Sequence, residues 1–356
     1  MDTFYQVQKT IKKYKPQYLL VYGRRSRGKS WSSKELCIDE FMKTGRTFVY
    51  LRRYGEDIKP SNALQYWSKF QGKVFEKLTH GKYNEMTARA NTYYLGNGDN
   101  KELCGYFLDL NHAERWKSQE FPRVKYIIFE EFITNQIYLD DEANELLNLV
   151  STIARNETDV VVIMLGNAIS RVCPYFNEWG IGDIVNQQQG TVKIFNLLSE
   201  SGNTRIVTER TFDTQQNNGT TLFFGNSEKS IMQGEWDVAD VPIRPKEKKE
   251  GNEFTTHYEI AFSHMGFDFI IQLQSDTDGN LFVFIYPNKY NREIERKVHK
   301  GFSLSALESE TLNRNNRAEC IISDLWNKGK YCFSDKLTGN DFLQVNKMYE
   351  SLFILR

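Results

Sequence analysis

Tyr18-Leu-Leu-Val-Tyr22 runs directly into Gly23-Arg24-Arg25-Ser26-Arg27-Gly28-Lys29-Ser30. The first five residues form a continuous apolar run, the pattern of a strand buried on both faces. The next eight match GxxxxGK[ST], a phosphate-binding loop. From Lys29 to about Lys43 the apolar residues Trp31, Leu36, Ile38, Phe41 and Met42 mark a helix, with Gly45 at its C-terminal cap. Strand, loop and helix in this order are the setting the motif requires. Backbone N–H groups of the loop and the positive end of the helix then converge on an anion. Gly23, Arg24, Arg25, Ser26, Arg27 and Gly28 are expected to wrap the phosphates of ATP. Lys29 would reach the β and γ oxygens, and Ser30 would ligate Mg²⁺.

Tyr126-Ile-Ile-Phe-Glu130-Glu131 supplies a second half. An apolar strand that ends in two acids places carboxylates where ligands bind in open α/β sheets. Glu130 would face Mg²⁺, although Asp is the usual residue there, and Glu131 would polarise the attacking water. Thr47–Leu51 is a further strand, lying between the loop and the acidic strand. Val160–Leu165 is a fourth, ending in Gly166-Asn167. Continuous apolar strands alternating with helices predict a parallel α/β sheet. The intervening strand and the extra acid belong to hydrolysing P-loop motors (the ASCE class) rather than to nucleotide kinases. Asn167 either senses the γ-phosphate or holds the lytic water, or is simply a turn residue. Arg155 closes a helix pattern over 142–154, and Lys117 lies in the polar stretch HAERWKSQEF. Each is either a transition-state cation or a solvated one. Arg52, Arg53 and Lys59 follow the second strand and either track nucleic-acid phosphates or belong to a solvated loop.

The 356 residues suffice for more than one domain, and 26% charged with 40% hydrophobic residues is a globular composition. Net charge is zero, yet residues 1–125 hold 24 Lys/Arg against 13 Asp/Glu, while residues 126–200 hold 3 against 11. A polyanion can therefore bind the first third of a neutral molecule. No uncharged apolar run reaches the ~18 residues of a transmembrane helix, and the first 16 residues lack a signal-peptide apolar stretch. Cys37, Cys104, Cys173, Cys320 and Cys332 contain no CxxC pair, which argues against a zinc site or disulfide framework and for a reducing cytosol. Polar Gln215–Thr221 and charged Pro242–Gly251 bound a change of pattern. Beyond them Thr255–Phe262, Phe267–Leu273 and Leu281–Tyr286 read as strands, with a hairpin turn at Asp276–Asn280 and helix patterns around 312–328 and 340–353. The expected domains are 1–200, a linker domain 201–250, and a small α/β domain 251–356.

GRRSRGKS, FVYLRRY, WKSQEFPRVKYIIFEEF, LLNLVSTIARNE and LGNAISRVCPYF, in this order, resemble the genome-packaging ATPases of small phi29-like podophages. HYEIAFSHMGFDFIIQ, DGNLFVF and KLTGNDFLQVNKMYESLFILR extend the likeness more loosely. The resemblance implies a homomeric ring, five subunits in the family, that drives double-stranded DNA into a procapsid at its portal in the host cytoplasm. An RNA scaffold is a further candidate partner, and no membrane is involved. It also implies ATPase, linker and RNase H-like domains. By position it makes Lys29, Ser30 and Arg25 nucleotide-loop residues, Glu131 the catalytic glutamate, Arg155 a trans-acting arginine finger and Lys117 a second trans-acting cation. In the last domain Glu259, Asp268, Asp276 and Asp278 do not form a convincing two-metal cluster, which points to a nuclease that no longer cuts. The competing readings are an ATP-dependent assembly factor, a nucleotide kinase, and a terminase-like enzyme with a live nuclease.

Overall fold

The structure is a computed structural model, and it describes residues 4–25, 27–155, 157–199, 202–212, 240–245, 253–301, 303, 305 and 307–355. Ser26, the Gln215–Thr221 loop and most of the expected linker domain lie outside these residues. Two units are described, residues 1–169 with 178–235, and residues 170–177 with 236–356.

In the first unit the apolar runs become β1 (Tyr18–Tyr22), β2 (Thr47–Arg52), β3 (Glu85–Arg89), β4 (Thr92–Asn97), β5 (Asn100–Asp109), β6 (Val124–Glu130), β7 (Val161–Leu165), β8 (Val192–Ser199) and β9 (Gly202–Arg210). Among the described residues they form one sheet of order β3-β4-β5-β2-β6-β7-β1-β9-β8. The stretch from β5 to β9 is parallel throughout, and β3, β4 and β8 extend its edges antiparallel. The helices Lys29–Thr44 and Glu142–Ile153 bury Leu36, Cys37, Ile38 and Phe41, and Leu146, Leu149 and Ile153. Gly45 caps the first helix in the left-handed conformation, φ 66°.

Two expectations change. Thr47–Leu51 separates the loop strand from the acidic strand along the chain, but in the sheet β7 stands between them. Asn167, after β7, therefore lies between the loop and Glu130. The first domain also does not stop at residue 200, because β9 pairs with β1 from Tyr18↔Ile206 to Tyr22↔Arg210. The β8–β9 hairpin was not legible as such, since half-exposed Val192–Leu198 lacks a buried run.

In the second unit β10 (Thr255–His264), β11 (Phe267–Ser275) and β12 (Leu281–Pro287) form an antiparallel meander. The Asp276–Asn280 turn is closed by the Asp276 side chain, which accepts from the Asp278 and Asn280 amides. β13 (Lys297–His299), β14 (Glu308–Ser309) and β15 (Tyr331–Phe333) complete a sheet of order β14-β13-β10-β11-β12-β15 among the described residues. Pro242–Arg244 adds to β15, so the end of the expected linker belongs to this unit. The helix patterns are realised as Arg317–Asn327 and Lys336–Tyr349, capped by the Asn316 and Asp335 side chains. Buried Arg296 grips buried Glu319 through Nε (2.8 Å) and Nη2 (3.0 Å), fastening the segment after β12 to the first of these helices.

Gly105 on β5 faces Phe48 on β2, and a Cβ there would meet the Phe48 ring at 2.7 Å. That ring packs on Trp67 and Tyr93 (centroids 5.3 and 5.8 Å) and cannot retreat. Gly105→Ala is expected to cost about 1–3 kcal/mol by overpacking, measured as a lower urea midpoint at unchanged m-value.

Candidate active site

The loop sits where β1 ends. Gly23 has φ 136° and lies against Thr211, leaving no room for a Cβ. Gly28 has φ 84° and starts the helix. Both positions need glycine. Buried Lys29 donates to the carbonyls of Gly23 (3.3 Å) and Arg24 (2.6 Å) and to Asn167 Oδ1 (3.3 Å). Arg25, Arg27, Gly28, Lys29, Ser30, Glu130 and Asn167 line one cavity of about 470 Å³. The structure thus brings together the loop residues, the first acid and the β7 amide.

Glu130 ends β6 with Oε1 buried and without a hydrogen-bond partner. Burial raises its pKa, while a hydrogen bond with Ser30 and the Lys34 charge oppose the rise. A buried acceptor atom beside a serine hydroxyl fits a hard divalent cation. Glu130 and Ser30 are the residues that would hold Mg²⁺.

Glu131, the next residue, is exposed and stands at φ 60° with its amide donating to Leu165 O (2.8 Å). A non-glycine side chain in the left-handed region is a strained feature of the kind found at functional sites. Its carboxylate turns to Arg52, whose Nη2 lies 2.9 Å from Glu131 Oε2 and 3.1 Å from Asp57 Oδ2. Arg52, from sequence either a phosphate-tracking cation or a residue of a solvated loop, is paired with two carboxylates. Arg53 is corrected more firmly. It is buried, clasps Glu142 through Nε (2.7 Å) and Nη2 (2.9 Å), and donates to the carbonyls of Glu131 and Phe132 (both 3.0 Å). A buried, paired guanidinium cannot reach a DNA backbone. Lys59 is exposed and pairs with Glu56 at 2.5 Å.

Arg155 and Lys117 do not line the cavity. Arg155 is exposed and donates to the Lys117 carbonyl (3.1 Å), and Lys117 pairs with Glu114. Arg155 precedes β7, at the end of the sheet where the strands begin, whereas the loop lies where they end. β7 alone is ~17 Å long.

Sequence reasoning missed Lys34, Tyr66 and Lys69 on the cavity wall. Lys34 follows Ser30 by one helical turn, a spacing that would have revealed it. Its ammonium lies 3.8 Å from the centre of the Tyr66 ring and donates to the Tyr66 carbonyl. Burial pushes it down to about 8, against the pull of Glu130.

Two predictions follow from these pairs. Arg53→Ala leaves Glu142 buried without its cation and is expected to cost about 3–5 kcal/mol in denaturant unfolding, with part recovered by adding Glu142→Leu. Protonated Lys34 attracts a polyphosphate, and that attraction fades as pH rises through about 8. Tripolyphosphate affinity should therefore fall several-fold between pH 7 and 9, and should fall less in Lys34→Arg, which stays charged. Calorimetric titration at the two pH values checks this.

The family model described as Podovirus DNA encapsidation protein (Gp16) matches residues 1–207. The DNA packaging proteins of Bacillus phages PZA and phi29 are each 34% identical over 186 residues, covering 49% of this chain and 52% of theirs. The chain thus spans about half the length of the curated relatives it matches. The solved packaging motor assembly of bacteriophage Phi-29 is similar in fold at TM-score 0.60 and 22% identity, over 97% of this chain and 99% of that one. The Phi-28 gp11 DNA packaging motor is similar at TM-score 0.55 and 16% identity, over 98% of this chain and 99% of that one. With more than half of its length matched by the family model, this chain belongs to the podovirus DNA encapsidation (Gp16) family.

Proposed function

We propose that the protein is an ATPase that drives viral double-stranded DNA into a procapsid as a homomeric ring. The observation that carries this reading is the separation of two half-sites. Arg27, Gly28, Lys29, Ser30, Glu130 and Asn167 share one cavity, while exposed Arg155 and Lys117 do not line it and lie together, Arg155 donating to the Lys117 carbonyl. In this reading these exposed cations serve a neighbour's nucleotide rather than their own. A cycle in which each subunit completes the next one's site makes firing sequential, as a motor requires.

In this reading the loop amides and Lys29 hold the β- and γ-phosphates, and Lys29 exchanges its carbonyl partners for phosphate oxygens. Ser30 and Glu130 would hold Mg²⁺, which when bound would supply charge neutralisation at the phosphates. Glu131 leaves Arg52 to orient the attacking water, and Asp57 stays paired with the guanidinium that is left. Asn167, beside Lys29, reads the γ-phosphate from β7. Arg155 from the neighbouring copy stabilises charge in the transition state. Lys59 remains a candidate DNA contact, and such contacts are to phosphate, since a motor for any sequence must not read bases. Partners in keeping with the reading are the portal of the procapsid in the host cytoplasm and an RNA scaffold, with a ring of five.

The second unit is read as a nuclease-like module that does not cut, because three of its four candidate acids have structural partners. Glu259 binds Arg292 at 2.6 Å, Asp268 accepts from Ser263 at 2.5 Å, and Asp276 closes its turn.

The test is ATP hydrolysis by the full chain with and without duplex DNA over a salt series. The motor predicts stimulation that falls with salt, and its absence favours the assembly factor. Arg155→Ala should lower turnover by about 10³-fold or more without loss of ATP binding. Mixing Arg155→Ala with Glu131→Gln subunits should restore part of the activity, because one supplies an intact pocket and the other an intact finger. No restoration in mixed rings removes the trans assignment.

A further inference from the structure

The loop has two flanks. One is the charged cavity with Lys34, Glu130 and Asn167. The other faces β9, the strand beside β1. There the chain presents two large apolar side chains to solvent, Phe4 at 70% and Phe212 at 60% exposure. Single exposed apolar residues are ordinary. These two are distinguished by what holds them.

Phe4 leans directly on the loop. A Cβ built on Gly28 would lie 3.1 Å from Phe4 Cβ and 3.2 Å from its Cδ1. The next residue donates from Tyr5 N to Arg27 O (3.0 Å), and its phenol is anchored on Glu209 Oε2 (2.8 Å). Phe212 comes two residues after β9, past Thr211, whose amide donates to Tyr22 O (2.9 Å) at the mouth of the loop. Its ring rests against Gly190, and its carbonyl accepts from Arg27 Nη2 (3.0 Å). Arg27, inside the phosphate motif, therefore ties down both aromatic segments, one through its carbonyl and one through its guanidinium.

A nucleotide whose polyphosphate fills the loop must lead its nucleoside out along one flank. The cavity flank sets the charges of Lys34, Lys69 and Glu130 beside the rings of Trp31 and Tyr66, which already pack on Phe70 (4.4 Å) and Tyr50 (4.0 Å). The β9 flank offers flat apolar surface at the carboxyl ends of two parallel strands, where ligands of open α/β sheets bind. Resting on the nucleotide reading above, we infer that Phe4 and Phe212 form the nucleobase subsite, taking the purine ring of ATP by stacking and apolar contact. Stacking tolerates any purine, because each presents a π-face.

The experiment compares ADP with inorganic tripolyphosphate, which has no base, by calorimetric titration of the full chain in Mg²⁺ buffer. Phe4→Ala and Phe212→Ala are each expected to weaken ADP by about tenfold and to leave tripolyphosphate unchanged. Phe4→Trp should retain ADP affinity, since a larger ring stacks at least as well. Unchanged ADP affinity in either alanine variant overturns the inference. So does an equal loss for both ligands, which would mark these residues as props of the loop. If the unsubstituted chain binds neither ligand, the nucleotide reading itself fails and this subsite with it, a result distinct from the other two.

Discussion

A buried ammonium at the N-terminus of a helix is the constraint around which the first unit is arranged. Lys29 occupies the position where partial positive charge is already concentrated, so its charge adds to the field of the helix end. Without an anion, that charge is met by the carbonyls of Gly23 and Arg24 and by Asn167 Oδ1. Each is a neutral dipole. Two belong to the loop, and the third arrives from β7. Of the three, Asn167 also lines the cavity that a phosphate can enter. The loop therefore holds its shape through the residue that it would hand to the nucleotide.

Order in the sheet converts this local arrangement into a site with two ends. Because β7 lies between β1 and β6, Asn167 reaches Lys29 while Glu130 sits one strand further on. The two acids at the end of β6 then part company. Glu130 turns inward, with an unpartnered oxygen. Glu131, bent out at φ 60°, goes to Arg52. One strand terminus thus yields a metal-facing carboxylate and an exposed one with different partners. Arg52 Nη2 serves both Glu131 and Asp57, and its Nε adds a second bond to Asp57 at 3.4 Å, so Glu131 shares its cation with a second carboxylate.

The second unit uses the same residue types for another end. Arg296 and Glu319 are buried together, with Tyr258 and the Asn313 amide also donating to the carboxylate. Arg292 and Gln272 meet Glu259. These pairs fasten irregular segments to the sheet, and carboxylates engaged in this way are not free to gather around a cation. A buried ion pair is a device for specifying one arrangement more than for adding stability, which suits a unit with long connections between β12 and the helix Arg317–Asn327.

Local chemistry carries a good deal of this protein on the surface of its sequence. YLLVY, GRRSRGKS and YIIFEE declare a parallel α/β sheet and a phosphate site, because apolar runs, glycines with special φ and terminal acids act over a few residues. The hairpin at Asp276–Asn280 is legible for the same reason. What adjacency along the chain cannot convey is which strand lies beside which, and there the reading of the residues stopped short. Arg52 and Arg53 are neighbours with the same charge, yet one is held between Asp57 and Glu131 and the other is buried on Glu142, 89 residues away. Phe4 and Phe212 meet the same loop from opposite ends of the unit. Residue type and short spacing determined the chemistry available to the chain. Only tertiary structure decided where each charge and each ring is used, since burial and pairing depend on partners that the chain order keeps far apart.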